Sequence, residues 1–427
     1  VSEQIPILLY TPHPLVRLKY IASTILGEAI NFTNSIETFF SFDGFKINYS
    51  TNCFGNEQLH IVPHGLLEQT GVKPQLIDCF EWEGLTTFFK TNGSIPFDFF
   101  AASFYLLTRY EEYLPHEKDE LRRFSHNNSL AFKKNFLHQP LIQLWMEQIA
   151  LLPTNASWSF VPTYDIDIAY SYNNQSIGRN VFGFFRDLIK GNRSEVEERL
   201  AVLGGTIKDP YDIYGWLDLL HNSLQLKPIY FFLLAENKKG LDKNIDPNSA
   251  VIKNLVVSHS KKYEVGIHPS IQSTTNNKIL SNEIHQLKSL ISKEIDTSRN
   301  HYIKIEFPST YQELILANIK HDYSMGYPTI NGFRASYAKP HHWFNLQKNK
   351  VTELVVHSFC YMDATAIFQE RIAVDKASVD LQYYLDIVKK VGGEFITIFH
   401  NNFLTDQAAF KEWKDLYADF LLKNGTR

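Results

Sequence analysis

The stretch PTYDIDIAY, residues 162–170, sets Asp165 and Asp167 two positions apart at the end of an apolar run. Carboxylates are expensive to bury without a partner, so two of them at the end of a buried strand point to chemistry. Residues two apart on a regular strand face the same side. The pair can therefore divide the work, one aspartate binding a metal and the other free to take a proton. Other apolar runs end in the same kinds of residue: His268 after YEVGI, Arg299, His301 and Tyr302 in SRNHYI, Asp322 in IKHDYS, and His400 at the close of EFITIFH. A carboxylate with imidazoles is a nitrogen and oxygen donor set suited to zinc or a similar divalent ion. Taken singly, each has an ordinary alternative: Asp-x-Asp caps turns and helices, and a lone histidine in a strand is more often hydrogen-bonded core. Their recurrence at successive run ends is what argues for a site.

The elements that must position them are seven short β-rich runs: FVPTYD, PIYFFLL, YEVGIHP, SRNHYI, IKHDYS, ELVVHSF and EFITIFH. Helical segments lie between most of them, which predicts an α/β fold with a parallel sheet, closed into a barrel or doubly wound. In either architecture chemistry gathers at the carboxyl ends of the strands. The character of the sequence changes near Leu151–Asn155, giving a boundary between a smaller α/β domain, 1–154, and a barrel-like domain, 155–427. In the first, IPILLYT and QLHIVP read as strands, and Val16 to Ile30 and Phe97 to Tyr113 as helices. The charged, aromatic run TRYEEYLPHEKDELRRF, Thr108 to Phe124, reads as a solvated helix end and loop.

Bulk composition narrows the function. With 44% hydrophobic residues the chain can form packed cores, and a formal net charge of -4 gives no basic footprint for nucleic acid. Cys53, Cys79 and Cys360 show no CxxC spacing, so neither a disulfide framework nor a cysteine zinc site is expected. With no basic leader pattern at the start and no apolar run of about 18 residues, the expectation is a cytoplasmic chain without a membrane span.

At these motifs the chain resembles the polysaccharide deacetylases of carbohydrate esterase family 4, the NodB-homology family, from about Phe160 onward. Thr163-Tyr164-Asp165, with Asp167 displaced by Ile166, is similar to the family's T-F-D-D. Glu264-Val265-Gly266-Ile267-His268 matches E-x-G-x-H, Arg299-Asn300-His301-Tyr302 is similar to R-x-P-Y, and Ile398-Phe399-His400 to L-x-H. The resemblance implies a distorted (β/α)7 barrel and metal-dependent removal of N-acetyl groups from a carbohydrate. In it Asp165 is the base, Arg299 orients that base, His400 is the acid, and the Tyr302 backbone N–H meets the oxyanion. Two departures bear on the metal. Gln272 stands where the family has a second histidine, and His301 where it has proline. The set Asp167, His268 and His301 is one reading; Gln272 as a ligand, or a weakened or absent metal site, are the others. Lys320 to Ser336, KHDYSMGYPTINGFRAS, is similar to a branch of the family with Gly-Phe-Arg, which makes Arg334 a candidate substrate contact. Asp212, in the long segment after the first strand, is a second such candidate, at a substrate rim or a helix cap. A catalytically silent glycan-binding protein and an amidase acting on a non-sugar amide are the competing functions.

Overall fold

Two sheets organise the chain, each grown from short apolar runs. The computed structural model describes residues 6–27, 30–152, 156–238 and 240–425. The first sheet has parallel strands β1 (Ile7–Tyr10), β2 (Ile30–Thr33), β3 (Phe45–Tyr49) and β4 (Leu59–Ile61) in the order β2-β1-β3-β4. Helix α1 (Val16–Leu26) is shorter than its periodicity predicts. Gly27, with φ 82°, turns the chain, its N–H bonds back to the Ser23 carbonyl, and Ile30 pairs in register with Ile7 at the start of β2. A short helix α2 (Ile36–Ser41) and a hairpin of β5 (Phe80–Trp82) and β6 (Leu85–Thr87) follow.

Helix α3 (Phe99–Leu107) is capped by Asp98, whose carboxylate accepts the Ala101 N–H. The helix expected over Phe97–Tyr113 breaks because Arg109 adopts left-handed φ 54°, and residues 110–113 finish as a separate 3-10 turn. Helices α4 (Leu130–Lys133) and α5 (Leu141–Gln148) complete this part. Its hydrophobic cluster runs from Leu9 to Leu151 and also takes in Tyr327, Tyr337, Phe344 and Leu346 from far along the chain. The expected boundary falls on residues 153–155, outside the described residues.

The second sheet contains β7 (Trp158–Ile166), β8 (Ile229–Phe232), β9 (Glu264–Ile267), β10 (Thr297–Ser298), β11 (His321–Met325), β12 (His341–Asn345), β13 (Lys350–Ser358), β14 (Tyr361–Met362) and β15 (Gly393–His400). Its order is β12-β13-β11-β10-β9-β8-β7-β15-β14, all parallel except β12. Six of the seven runs read from the sequence supply strands here, while SRNHYI adds only Ser298 to the two-residue β10 and then turns at His301–Ile303. The seven-stranded ring is replaced by a curled nine-stranded sheet, because one chain segment changes neighbours. The Phe359 N–H bonds to Met325 at the end of β11, while the Cys360 N–H bonds to Ile396 in β15. The link from β13 to β14 therefore touches β11 on one side and β15 on the other. Strand β8 is buried along its whole length, as a strand covered on both faces should be. Between β7 and β8 the chain makes α6 (Ile177–Ile189) and α7 (Arg193–Leu203). Among the described residues no helix is long and apolar enough to cross a membrane.

Candidate functional site

Strand register assembles the site. His400 is paired with Asp165 across β15 and β7, and Asp165 with Phe231 of β8. Phe231 lies opposite Gly266, and Ile267 opposite Ser298. His268 and Arg299 each follow the last residue of their strands, so all four chemical groups emerge on one edge of the sheet.

Asp165 is buried, and its Oδ1 accepts from Arg299 Nη1 at 2.8 Å. The arginine is itself fixed: Nη1 also reaches Thr163 Oγ1 at 2.7 Å, Nε donates to the Tyr323 carbonyl at 3.0 Å, and the guanidinium lies 4.3 Å from the Phe231 ring centre. Asp167, just past the end of β7, faces imidazoles instead. Its Oδ1 is 3.2 Å from His268 Nε2, and its Oδ2 is 3.5 Å from His301 Nε2 and 3.8 Å from His400 Nε2. The expectation that both aspartates face one side holds, since His268 Nε2 is also 3.9 Å from Asp165.

Each histidine is oriented through its other ring nitrogen. His268 Nδ1 donates to the Arg299 carbonyl at 2.6 Å, His301 Nδ1 pairs with Asp242 at 2.9 Å, and His400 Nδ1 pairs with Asp363 at 2.6 Å. Asp363 also accepts the His400 backbone N–H. Burial works against the charge of Asp167, but His301 and His268 outweigh it and hold the carboxyl well below the usual range. Burial likewise opposes protonation of His301, yet Asp167 and Asp242 push it up to about 9. His400 follows the same logic, with burial overcome by Asp363 and then by Asp167 and Asp165, and rises to about 10. This corner of the molecule attracts positive charge.

A cavity of about 690 Å³ opens over these groups, lined by Asp165, Asp167, His268, His301, Tyr302 and His400 on the sheet side. Its far wall includes Asp119, Glu120, Leu121 and Arg123 from the N-terminal part. Part of the run from Thr108 to Phe124, expected as a solvated helix end and loop, thus lines the cavity. Arg123 Nη1 donates to the Tyr302 carbonyl at 2.5 Å, and its Nε is held by Asp119 at 2.7 Å. Tyr302 and Ile303 both take left-handed φ, 55° and 52°. Such a turn is uncommon for these side chains, and Arg123 braces it.

Several expected residues lie elsewhere. Arg334 is buried against Glu112, with Nη2 at 2.5 Å and Nε at 2.9 Å from its carboxylate, and it does not line the cavity. The Gly332–Arg334 stretch lies over the N-terminal part, where Glu112 needs a second cation beside Arg109. Asp212 faces Lys208 at 3.4 Å and is also absent from the cavity lining. In its segment Asp209 does the local work, accepting the N–H groups of Ser171, Tyr172 and Asn173. Asp322 is core, bonded to Ser324 and Tyr311. Gln272 turns its amide to the Asn237 carbonyl at 2.7 Å and to Asp242 at 3.3 Å, so it supports the partner of His301. Asp242 and Asp363 escaped the sequence reading. Asp363 carries a weak signal, an acid directly after the short apolar run at β14; Asp242 carries none.

Residues 7–153 match the model of a family described as a family of unknown function (DUF7033). No curated protein matches the chain. Similar solved structures include a chain from Mycobacterium smegmatis assigned as a polysaccharide deacetylase, at 11% identity over 64% of this chain and 87% of that one, with a TM-score of 0.40. A polysaccharide deacetylase from Bacillus cereus is 10% identical over 64% and 90% of the two chains, with a TM-score of 0.31. A mutant of a CE4 family pseudoenzyme with restored enzymatic activity is 9% identical over 64% and 65%, with a TM-score of 0.29. At such scores the reading of the site rests on its own geometry and on the sequence motifs.

Proposed function

We propose that the chain is a divalent-metal-dependent hydrolase that removes N-acetyl groups from a carbohydrate. The observation that carries this reading is the convergence of Asp167, His268 and His301, whose ligand atoms all lie within 4.8 Å of one another. The donor set fits a metal: Asp167 Oδ1 is buried without a hydrogen-bond partner, and each imidazole is held through Nδ1 so that Nε2 turns toward Asp167. Nitrogen and carboxylate ligands suit zinc. Such an ion would polarise an amide carbonyl and lower the pKa of a water.

The remaining roles belong to side chains. Asp165, held by Arg299, takes a proton from the attacking water. The Tyr302 backbone N–H is assigned to the oxyanion that develops on the acetyl carbonyl oxygen as water adds to the carbon. His400, raised to about 10, is protonated near neutral pH and gives its proton to the amine as the C–N bond breaks. The carbohydrate substrate class follows from the motif resemblance, and the cavity's polar wall at Asp119, Glu120 and Arg123 supplies groups for hydroxyl recognition.

Metal analysis of the purified protein before and after chelation, alongside acetate release from a panel of N-acetylated glycans, tests the reading. Bound metal with chelator-sensitive acetate release is the expected result. A chain that binds glycan tightly but releases no acetate when loaded with zinc would be a silent binder, and acetate release confined to non-sugar amides would replace the carbohydrate.

A further inference from the structure

Helix α6 is inverted. Its apolar residues Ile177, Val181, Phe182, Phe185, Leu188 and Ile189 recur at spacings of three and four and so share one face. That face points to solvent: Ile177 is 83% exposed, Phe182 72% and Ile189 85%. The helix is attached to the rest of the protein by its polar side instead. Only Gly183 and Asp187 are buried. Asp187 pairs with Arg199 of α7 at 2.7 Å, Asn180 accepts from the same guanidinium at 3.2 Å, and Gly183 lies against it so closely that a Cβ would come within 2.8 Å of its carbon. The arginine is held in turn over the Tyr172 ring at 4.6 Å. A built ionic seat of this kind fixes the outward direction of the apolar face.

The surroundings are cationic. Arg179, Arg186, Lys238 and Lys243 line a cleft of about 960 Å³ that Phe182 of the apolar face also lines, against the acids Glu195 and Asp246. Lys190 closes the helix at its C-terminus. Among the described residues Arg179, Lys190, Lys238 and Lys243 make no ion pair. An apolar face bordered by unpaired cations is the pattern of a helix lying in the interface of an anionic bilayer. A second copy of the chain fits poorly, because face-to-face pairing would set these cations against their equivalents.

We infer that α6 docks the protein peripherally on an anionic membrane surface, with its phenylalanines and isoleucines among the lipid chains and the flanking cations at the headgroups. The inference stands apart from the proposed hydrolase activity. It bears on it through one loop: Gly240 and Lys243 line the cationic cleft, Leu241 lines the cavity of the candidate site, and Asp242 holds His301. Docking would therefore bring the candidate site close to glycans carried at the membrane.

The test is co-sedimentation of the full chain with vesicles of phosphatidylcholine alone and of phosphatidylcholine with about 30 mol% phosphatidylglycerol. Wild type should partition onto the anionic vesicles and little onto the neutral ones. The double variant Phe182→Asp/Phe185→Asp, which alters exposed side chains only, should lower that partitioning by about tenfold or more. Leu219→Asp, a change at an exposed leucine outside α6, should leave it unaltered. Circular dichroism and unchanged metal content would show that the double variant is folded. Absence of vesicle binding, binding equal on both vesicle types, or binding that the double variant retains would each overturn the inference. So would a wild-type dimer, seen by sedimentation velocity, that the double variant dissociates.

Discussion

Asp165 and Asp167 stand two residues apart yet meet opposite company. Asp165 accepts from a fixed guanidinium, whereas Asp167 faces three imidazole nitrogens within 3.8 Å. The roles follow from the neighbours, so Asp165→Asn should keep bound metal while turnover slows by roughly 10²- to 10⁴-fold, the usual contribution of a positioned base. Parallel loss of metal and rate would exchange the two assignments. At residues 272 and 301 the two departures from the family pattern form one arrangement: Gln272 steadies Asp242, and Asp242 steadies His301. His301→Ala should therefore lose metal as His268→Ala does, and Asp242→Asn should weaken affinity by about 10- to 100-fold, as partners behind a ligand do. Gln272→Ala should change metal content little. Zinc titration of the four variants reads this directly, and a large loss at Gln272 alone would make the amide the ligand.

Among the strands near the site, Gly266 in β9 is under a close steric constraint. A Cβ there would lie 2.6 Å from the Phe231 ring and 2.9 Å from the Thr297 carbonyl oxygen. That ring also carries the Arg299 guanidinium on its face. The glycine of the E-V-G-I-H stretch thus lets a neighbouring strand support the arginine that orients Asp165. Gly266→Ala should cost about 1–3 kcal/mol of stability through overpacking and slow turnover more than it lowers metal content. Thermal unfolding, metal analysis and acetate release on one preparation separate these effects. Unchanged turnover would show that Phe231 yields without moving Arg299.

The whole molecule is joined by a buried ionic group. Glu112 lies between Arg109 and Arg334, with the Arg109 guanidinium also bonded to the Arg334 carbonyl and to Tyr327. Removing the central charge leaves Arg334 buried without its acid and Arg109 with Glu111 alone, so Glu112→Gln should destabilise the fold by about 3–5 kcal/mol. Burial raises the Glu112 pKa, but Arg334 and Arg109 prevail and hold it below its ordinary value. A depressed carboxyl stabilises fully above the unfolded pKa, about 4.3 for glutamate, and that stability is lost as pH falls through the lower folded value. The gap between wild type and Glu112→Gln in urea unfolding should accordingly narrow in acid. A gap that stays constant with pH would mean the loss comes from packing. The 119–123 wall over the cavity is tied down separately, by Arg123 donating to the Tyr302 carbonyl, which makes the N-terminal part a contributor to the site as well as a neighbour of it.

The seven apolar runs, their polar ends and the same-side placement of Asp165 and Asp167 were determined by the sequence, because strand periodicity and the location of chemistry at strand ends are local rules. The pairing of Arg299 with Asp165 was implied by the motif resemblance and not by any local rule. Tertiary structure alone decided that Asp242 and Asp363 hold His301 and His400, since those contacts join residues 59 and 37 positions apart. It also turned Arg334 away from the cavity, because a buried glutamate far earlier in the chain claims it. Likewise Thr108–Phe124 looked solvated from its charge, yet Glu112 pairs with Arg334 and Arg123 bonds to the Tyr302 carbonyl, both far along the chain. Charge along a sequence records polarity; which surface that polarity meets is a property of the packed chain.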